Sequence, residues 1–284
     1  MVWAIFNLIK QGVTMHEQNF QTLLYWIKER EIVRLKKEHG DPKPWSEDPV
    51  FQTTYFCNVD RENDTVTKWI RNHYSAFVDH PLFTENMILA RLLNWPPTLE
   101  IIGYQEEWVP SLINVTLHRE AKKGKIWGSA YVVTTHGIQM NKIDYLTERV
   151  MPSAWHNVDG IPDGATCREV SGMLQNVEGI STFMAGQVIA DLKNTPGHPL
   201  RDAPDWLSFA LPGPGSRRGM NWLHDKKISD GQWLRKLHEL QDVLLSEHYI
   251  ELCAQNLQNC LCEYDKYMRV SNGTGRSKRK YPGL

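Results

Sequence analysis

The 284-residue sequence predicts a mostly α-helical protein. Apolar residues recur at three- and four-residue spacing over long windows, which is what one buried helix face requires. Proline and glycine fall between those windows, at 40–45, 94–97 and 195–228, where helices start and stop. Only Lys125–Thr135 is dense enough in aromatic and β-branched residues to compete as a strand.

Taken in order, 15–40 is the first helix, with Leu23, Leu24, Trp26, Ile27 and Val33 on one face, and Gly40-Asp41-Pro42-Lys43-Pro44-Trp45 ends it. A second helix is expected near 56–75, its apolar face carrying Phe56, Val59, Val66, Trp69 and Ile70. Pro81 opens a third, which stops before Asn94-Trp95-Pro96-Pro97, because a residue ahead of proline is pushed out of the α region. Residues 98–123 read as helical with a break at Pro110. Lys125–Thr135 is either a short strand or a buried helix segment. Further helices are expected over 142–150, 167–193, 230–246 and 247–264, leaving 195–228 as one long irregular stretch. Loops of that length in compact domains usually carry function. No repeat or low-complexity linker divides the chain, so 15–284 is expected to be one domain behind an N-terminal extension, 1–14, with Met15 as an alternative start.

Composition narrows the class. Hydrophobic residues are 41% and charged residues 23%, ordinary for a globular protein. Net charge is −1, so any polyanion surface must be local. Basic residues do gather at Lys266, Arg269, Arg276, Lys278, Arg279 and Lys280. No stretch reaches the roughly 18 apolar residues of a membrane span, and the apolar start lacks a signal-peptide pattern. The chain is expected to be intracellular, without a membrane partner. Five cysteines, an odd number, argue against a disulfide scaffold. Cys253, Cys260 and Cys262 are one ligand short of an iron–sulfur site. The histidines have no metal spacing, so neither metal nor cofactor is expected.

The sharpest local pattern runs Met173-Leu174-Gln175-Asn176-Val177-Glu178-Gly179-Ile180-Ser181-Thr182-Phe183-Met184-Ala185. It resembles the helix-hairpin-helix of DNA repair glycosylases, which implies a glycosylase-like helical fold with the hairpin at about 168–193. Such a turn leaves the N–H groups of a helix start free for a DNA phosphate, and Gly179, Ser181 and Thr182 are the candidate contacts. Ser181 stands where a second glycine is usual. Phe183 stands where bifunctional members carry their lysine, so lyase chemistry is not expected. Asp202 and Asp205 follow at about the spacing of the glycosylases' carboxylate. An ordinary helical hairpin is the alternative reading.

Two other stretches are polar beyond what a core needs. In Phe56-Cys57-Asn58-Val59-Asp60-Arg61-Glu62-Asn63-Asp64, helical spacing would put Asn58 and Arg61 on one face and Asp64 one turn after Asp60. In Leu211-Pro212-Gly213-Pro214-Gly215-Ser216-Arg217-Arg218-Gly219, two glycines and two arginines suit a phosphate or pyrophosphate, held by close backbone and guanidinium forks. A solvated helix and a structural turn are the alternatives.

These stretches, with Leu93-Asn94-Trp95-Pro96, Gly128-Ser129-Ala130-Tyr131 and Cys262-Glu263-Tyr264-Asp265-Lys266-Tyr267, occur in an order that resembles the phage α-glutamyl/putrescinyl thymine pyrophosphorylases. These amino acid:DNA transferases share a helical domain with the 5-hydroxymethyluracil DNA kinases. The resemblance implies a phage-encoded enzyme working in host cytoplasm on double-stranded DNA that contains modified thymine. It would place a free amino acid (glycine, serine or similar) or polyamine on 5-pyrophosphoryloxymethyl-uracil, displace pyrophosphate and shield the genome from restriction. In that scheme a base flips out of the duplex. Gly213, Gly215, Arg217 and Arg218 hold the leaving group, and Asp202 or Asp205, with Asp60 or Asp64 behind them, takes the amine proton. Asn58 and Arg61 read the base or the amino acid, and Tyr131, Tyr264 and Lys266 line the pocket. The kinase members carry a P-loop and these 284 residues have none. The rival readings are a DNA glycosylase acting on a modified pyrimidine and a non-catalytic DNA-binding protein.

Overall fold

A computed structural model describes residues 15–130, 133–158, 160–246 and 251–275. In chain order its helices are α1 (Glu17–His39), α2 (Pro49–Thr53), α3 (Thr65–Tyr74), α4 (Phe83–Leu93), α5 (Pro96–Ile102), α6 (Pro110–Ala121), α7 (Lys142–Tyr145), α8 (Met151–Asn157), α9 (Cys167–Gln175), α10 (Thr182–Lys193), α11 (Pro214–His224), α12 (Asp230–Ser246) and α13 (Ala254–Ser271). A π-helical turn, Leu146–Val150, joins α7 to α8. Among the described residues there is no strand, and no helix is long and apolar enough to cross a membrane. The protein is mostly α. The chain divides into two compact units, one of residues 1–64 and 210–284 and the other of 65–209.

In the first unit α1 buries Phe20, Leu23, Leu24, Trp26, Ile27 and Val33. His16 caps its start, accepting from Asn19 N at 3.4 Å. Gly40 ends it at φ +78°, returning its N–H to Lys36 and Lys37 carbonyls, a left-handed stop that glycine takes at little steric cost. α13 is the central strut of this unit. It packs on α1, α2, α11 and α12, and α11 lies closest. A Cβ added at Gly219 would sit 2.2 Å from Leu261 O, and one at Gly215 2.3 Å from Cys262 Sγ. The bare backbone of α11 is therefore what lets it approach α13 so nearly.

In the second unit α4 is buried along its whole length and α10 from Met184 to Lys193. Helices buried on every side carry no amphipathic stripe, yet both hold charges. Arg91 of α4 and Asp191 of α10 form a bidentate ion pair, Nε to Oδ2 at 2.6 Å and Nη2 to Oδ1 at 2.5 Å. Arg91 also donates to Thr67 Oγ1 (3.1 Å) and Asn94 Oδ1 (3.2 Å). One guanidinium thus ties α3, α4 and α10 together, and its fork geometry suits that task.

Several expected elements differ. The helix of 56–75 begins only at Thr65, after a 3-10 turn over Arg61–Asn63. Side chains take the backbone donors a helix would need: Asp64 Oδ1 accepts Asn58 N at 3.1 Å and Asp60 Oδ1 accepts Glu62 N at 3.0 Å. The 98–123 window is two helices, parted by Gly103 at φ +68° and by Pro110 at the start of α6. The described part of 125–135 is neither strand nor helix. The stretch 195–228 is far from irregular: it holds a 3-10 turn, Pro199–Asp202, and α11. Its proline sits at the first turn, where a missing N–H costs nothing, and its glycines serve packing. In the 247–264 window 247–250 lie outside the described residues, and 251–253 lead into α13 without helix.

Candidate functional site

Residues 55–64 are laid along one side of α13. Asn256 Nδ2 donates to Asp60 Oδ1 (3.0 Å), Asn259 Nδ2 to Asn58 O (3.0 Å), and Glu263 Oε2 accepts Cys57 N (2.9 Å). Lys266 Nζ reaches Tyr55 O (3.2 Å) and Glu263 Oε2 (2.5 Å) and lies 5.2 Å above the Phe56 ring. Positions 256, 259, 263 and 266 are spaced by three and four, so they form one helix face. Two stretches 200 residues apart thereby become one structure.

From the other side, Arg30 of α1 reaches the same segment. Its Nε donates to Phe56 O (3.2 Å) and Cys57 O (3.0 Å) and its Nη2 to Asn58 Oδ1. Asn58 Nδ2 donates to Asp64 Oδ1 at 2.9 Å. Arg30, Asn58 and Arg61 are all buried. Burial pushes the Asp64 carboxyl above its ordinary range, against the pull of the Asn58 donors and of Arg61 and Arg30. Of the expected site residues, Asn58, Arg61 and Asp64 therefore gather, although not on a helix face, and Arg30 joins them. Arg30 was legible in principle: it falls in register with Leu23, Ile27 and Val33 on the apolar face of α1, where a charge needs a partner.

The arginine-bearing stretch sits differently from expectation. Gly213 precedes α11 and Gly215 lies within it. Arg217 pairs with Asp230. Arg218 donates to Asp265 Oδ2 through Nε (2.9 Å) and Nη2 (2.8 Å), and Arg269 Nε and Trp222 Nε1 reach the same buried carboxylate at 3.1 and 3.3 Å. α11 meets α13 through Leu261, Cys262 and Asp265, which lie on the helix face opposite Asn259 and Glu263. The arginines and Asn58 thus lie on opposite sides of α13 rather than around one cavity.

Tyr264 is a core residue rather than a pocket wall. It is fully buried, its hydroxyl donates to Asn19 O at 2.9 Å, and burial holds it above its ordinary range. Lys266 is the strut described above. Tyr131 lies outside the described residues. All five cysteines are free thiols. Among the described residues no three His, Cys, Asp or Glu side chains gather as a metal site.

In the second unit α9 and α10 form the hairpin. Gly179 takes φ +81°, and a Cβ there would meet Val150 Cγ2 at 3.0 Å and Tyr145 Oη at 3.2 Å, so the position requires glycine twice over. Ser181 caps α10, accepting from Met184 N at 3.5 Å, and Ser181 and Thr182 are exposed. Arg149 pairs with Glu178 of the turn at 3.1 Å. Asp205 caps the start of α9, its two oxygens accepting Cys167 N (2.7 Å) and Arg168 N (3.0 Å). Asp202 is exposed at the end of its 3-10 turn. Asn94 and Gly128 interlock: Gly128 N donates to Leu93 O at 2.7 Å, and a Cβ at Gly128 would fall 2.2 Å from Asn94 O.

A family model described as "5-hmdU DNA kinase, helical domain" matches residues 17–277. A "5-hmdU DNA kinase" of Bacillus phage SP10 is 23% identical over 310 aligned residues, which take in 95% of this chain and 48% of that protein. The chain thus spans about half the length of the curated relative it matches. No solved structure matches.

Proposed function

The chain belongs to the family of the 5-hmdU DNA kinase helical domain, and from that membership we propose that it acts on DNA carrying 5-hydroxymethyluracil-derived bases. The step proposed is amine transfer to 5-pyrophosphoryloxymethyl-uracil. The amine nitrogen bonds to the 5-methylene carbon, the bond from that carbon to pyrophosphate breaks, and a carboxylate takes the amine proton. The carrying observation is the helical-domain match over nearly the whole chain, in a sequence with no Gly-x-x-x-x-Gly-Lys-Ser/Thr cradle.

The family assignment suggests DNA contact, and the α9–α10 hairpin suits it. Exposed Ser181 and Thr182 open a helix whose first N–H groups and positive dipole end favour a phosphate. This is the helix-hairpin-helix role in a glycosylase-like fold, and it leaves the target base free to rotate out of the stack. Among the carboxylates Asp64 suits the proton acceptor best, because burial raises its pKa toward working pH. Asp205 has both oxygens committed to α9, and Asp202 is exposed to water. Asn58, Arg61 and Arg30 would position Asp64 and the substrate edge. Arg217 and Arg218 would hold pyrophosphate by exchanging Asp230 and Asp265 for its oxygens.

A second reading is the helical half of a DNA kinase, favoured by the name of the SP10 relative and by the half-length match. One assay separates them. Purified protein, duplex DNA bearing 5-pyrophosphoryloxymethyl-uracil and glycine, serine or putrescine should yield free pyrophosphate and an aminated nucleoside by mass spectrometry. Phosphate transfer from ATP to 5-hydroxymethyluracil DNA, with no amination, favours the kinase reading. Release of a free base instead identifies a glycosylase. Undiminished amination in Asp64→Asn removes the base role, and in Arg217→Ala and Arg218→Ala the leaving-group role.

A further inference from the structure

The second unit contains a narrow crevice that none of these roles uses. Glu85 and Asn86 of α4, Gln105 and Trp108 of the 103–109 segment, and Met151 and Trp155 of α8 line about 170 Å³ of empty space, too tight for a water molecule. Two polar atoms there have no partner, Glu85 Oε2 and Trp108 Nε1. Glu85 is only 6% exposed, and a buried polar group without a partner is costly enough to require a reason. Burial pushes its carboxyl up to about 7.

Neighbouring groups relieve neither atom. Asn86 spends its amide on the loop, with Nδ2 donating to Leu82 O (2.8 Å) and Gln105 O (2.9 Å) and Oδ1 accepting Gln105 N (2.8 Å). Tyr104 stacks on Phe77, centroids 4.1 Å apart at 9°, and anchors the same loop from behind. The crevice wall bearing Trp108 is therefore held rigidly. Trp155 is not: it is 42% exposed. The two indoles stand 6.3 Å apart at 38°.

The occupant must satisfy one acceptor and one donor and lie against flat π-faces. An organic cation would suit Glu85 and the indoles but leave the Trp108 N–H unpaired. A hydrocarbon would satisfy neither. A pyrimidine with an N–H beside a C=O satisfies both and stacks. A ring sandwiched between two indoles needs roughly 7 Å, two van der Waals contacts of ~3.5 Å. An outward shift of Trp155 by about 1 Å supplies the rest.

We propose that this crevice is a subsite for an unstacked pyrimidine base, entered past Trp155, with the Trp108 N–H donating to a ring carbonyl and Glu85 accepting from the ring N–H. Only the source of the base, DNA, rests on the function proposed above.

The test follows the Trp108 indole N–H resonance of the ¹⁵N-labelled full chain, assigned with Trp108→Phe. Free 5-hydroxymethyl-2′-deoxyuridine should move it, and deoxyribose or putrescine should not. Trp155→Ala should weaken that response roughly five- to a hundredfold, the loss of one base–ring stack, with the remaining indole resonances reporting an intact fold. No movement with the nucleoside, movement with putrescine instead, or unchanged binding in Trp155→Ala overturns the subsite. Duplex DNA with 5-hydroxymethyluracil should shift the resonance where the same duplex with an abasic site does not. A response to the nucleoside but to neither duplex overturns the DNA source and leaves a free-nucleoside site. Failure of amine transfer would show as absent pyrophosphate release and would leave these shifts as they are.

Discussion

Replacing Glu85 by glutamine should make the protein more stable in alkali and leave it nearly unchanged in acid. The carboxyl titrates at 4.5 in an unfolded chain and at about 7 in the fold, because burial disfavours its charged form. A raised carboxyl favours folding only while protonated in the fold. The term is fully present below pH 4.5 and is lost as pH rises through about 7. At 1.4 kcal/mol per tenfold change, the loss amounts to at most about 3 kcal/mol at pH 8. Glutamine keeps the shape and cannot ionise. Urea unfolding of both proteins from pH 4.5 to 8 should show the variant's advantage growing from near zero to as much as ~3 kcal/mol. His198 acts with the opposite sign. Burial, then Arg71, lower it to about 4, so acidification from 6.5 to 4 destabilises, but equally in both proteins, and the difference cancels it. A stability difference that stays flat with pH, or a variant weaker at pH 8, would refute the reasoning.

Gly219→Ala should destabilise by about 1–3 kcal/mol, since its Cβ meets the Leu261 carbonyl of α13 and backbone cannot give way; thermal melting checks it. Arg91→Leu should cost about 3–5 kcal/mol by stranding Asp191, and adding Asp191→Leu should recover much of that, as denaturant titration of the single and double variants will show. Asp205→Ala should cost about 0.5–2 kcal/mol through the lost α9 cap, with transfer activity per folded molecule unchanged. An activity loss exceeding the folding loss would restore Asp205 as the base.

Much of the fold could be read from residue order alone. α1 and α12 match their windows because their apolar spacing is long and their ends carry His16, Gly40 and Asp230. α4 stops before Trp95-Pro96 as the proline rule demands. The polar segment 55–64 was also visible as chemistry, but not as geometry. Spacing assigned it to a helix, whereas Asp60 and Asp64 take its amide donors, a competition that residue type allows and only conformation settles. Arg30 escaped notice because a charge on an apolar stripe looks like an interruption until its carbonyl partners are in place.

What the sequence determined by itself was therefore local: where helices begin and end, which faces are apolar, and that a glycine-dependent hairpin joins α9 to α10. Those follow from backbone sterics and periodicity within a few residues. Partnership was decided only in three dimensions. Gly215 and Gly219 look like a phosphate loop in sequence and act as the seat of one helix on another. Asp205 looks like a catalytic carboxylate and caps a helix that begins 38 residues before it. The unpaired Glu85 and Trp108 face one crevice although they lie on separate elements. Contacts of this kind depend on which faces pack together, and packing joins residues whose distance along the chain carries no record of it.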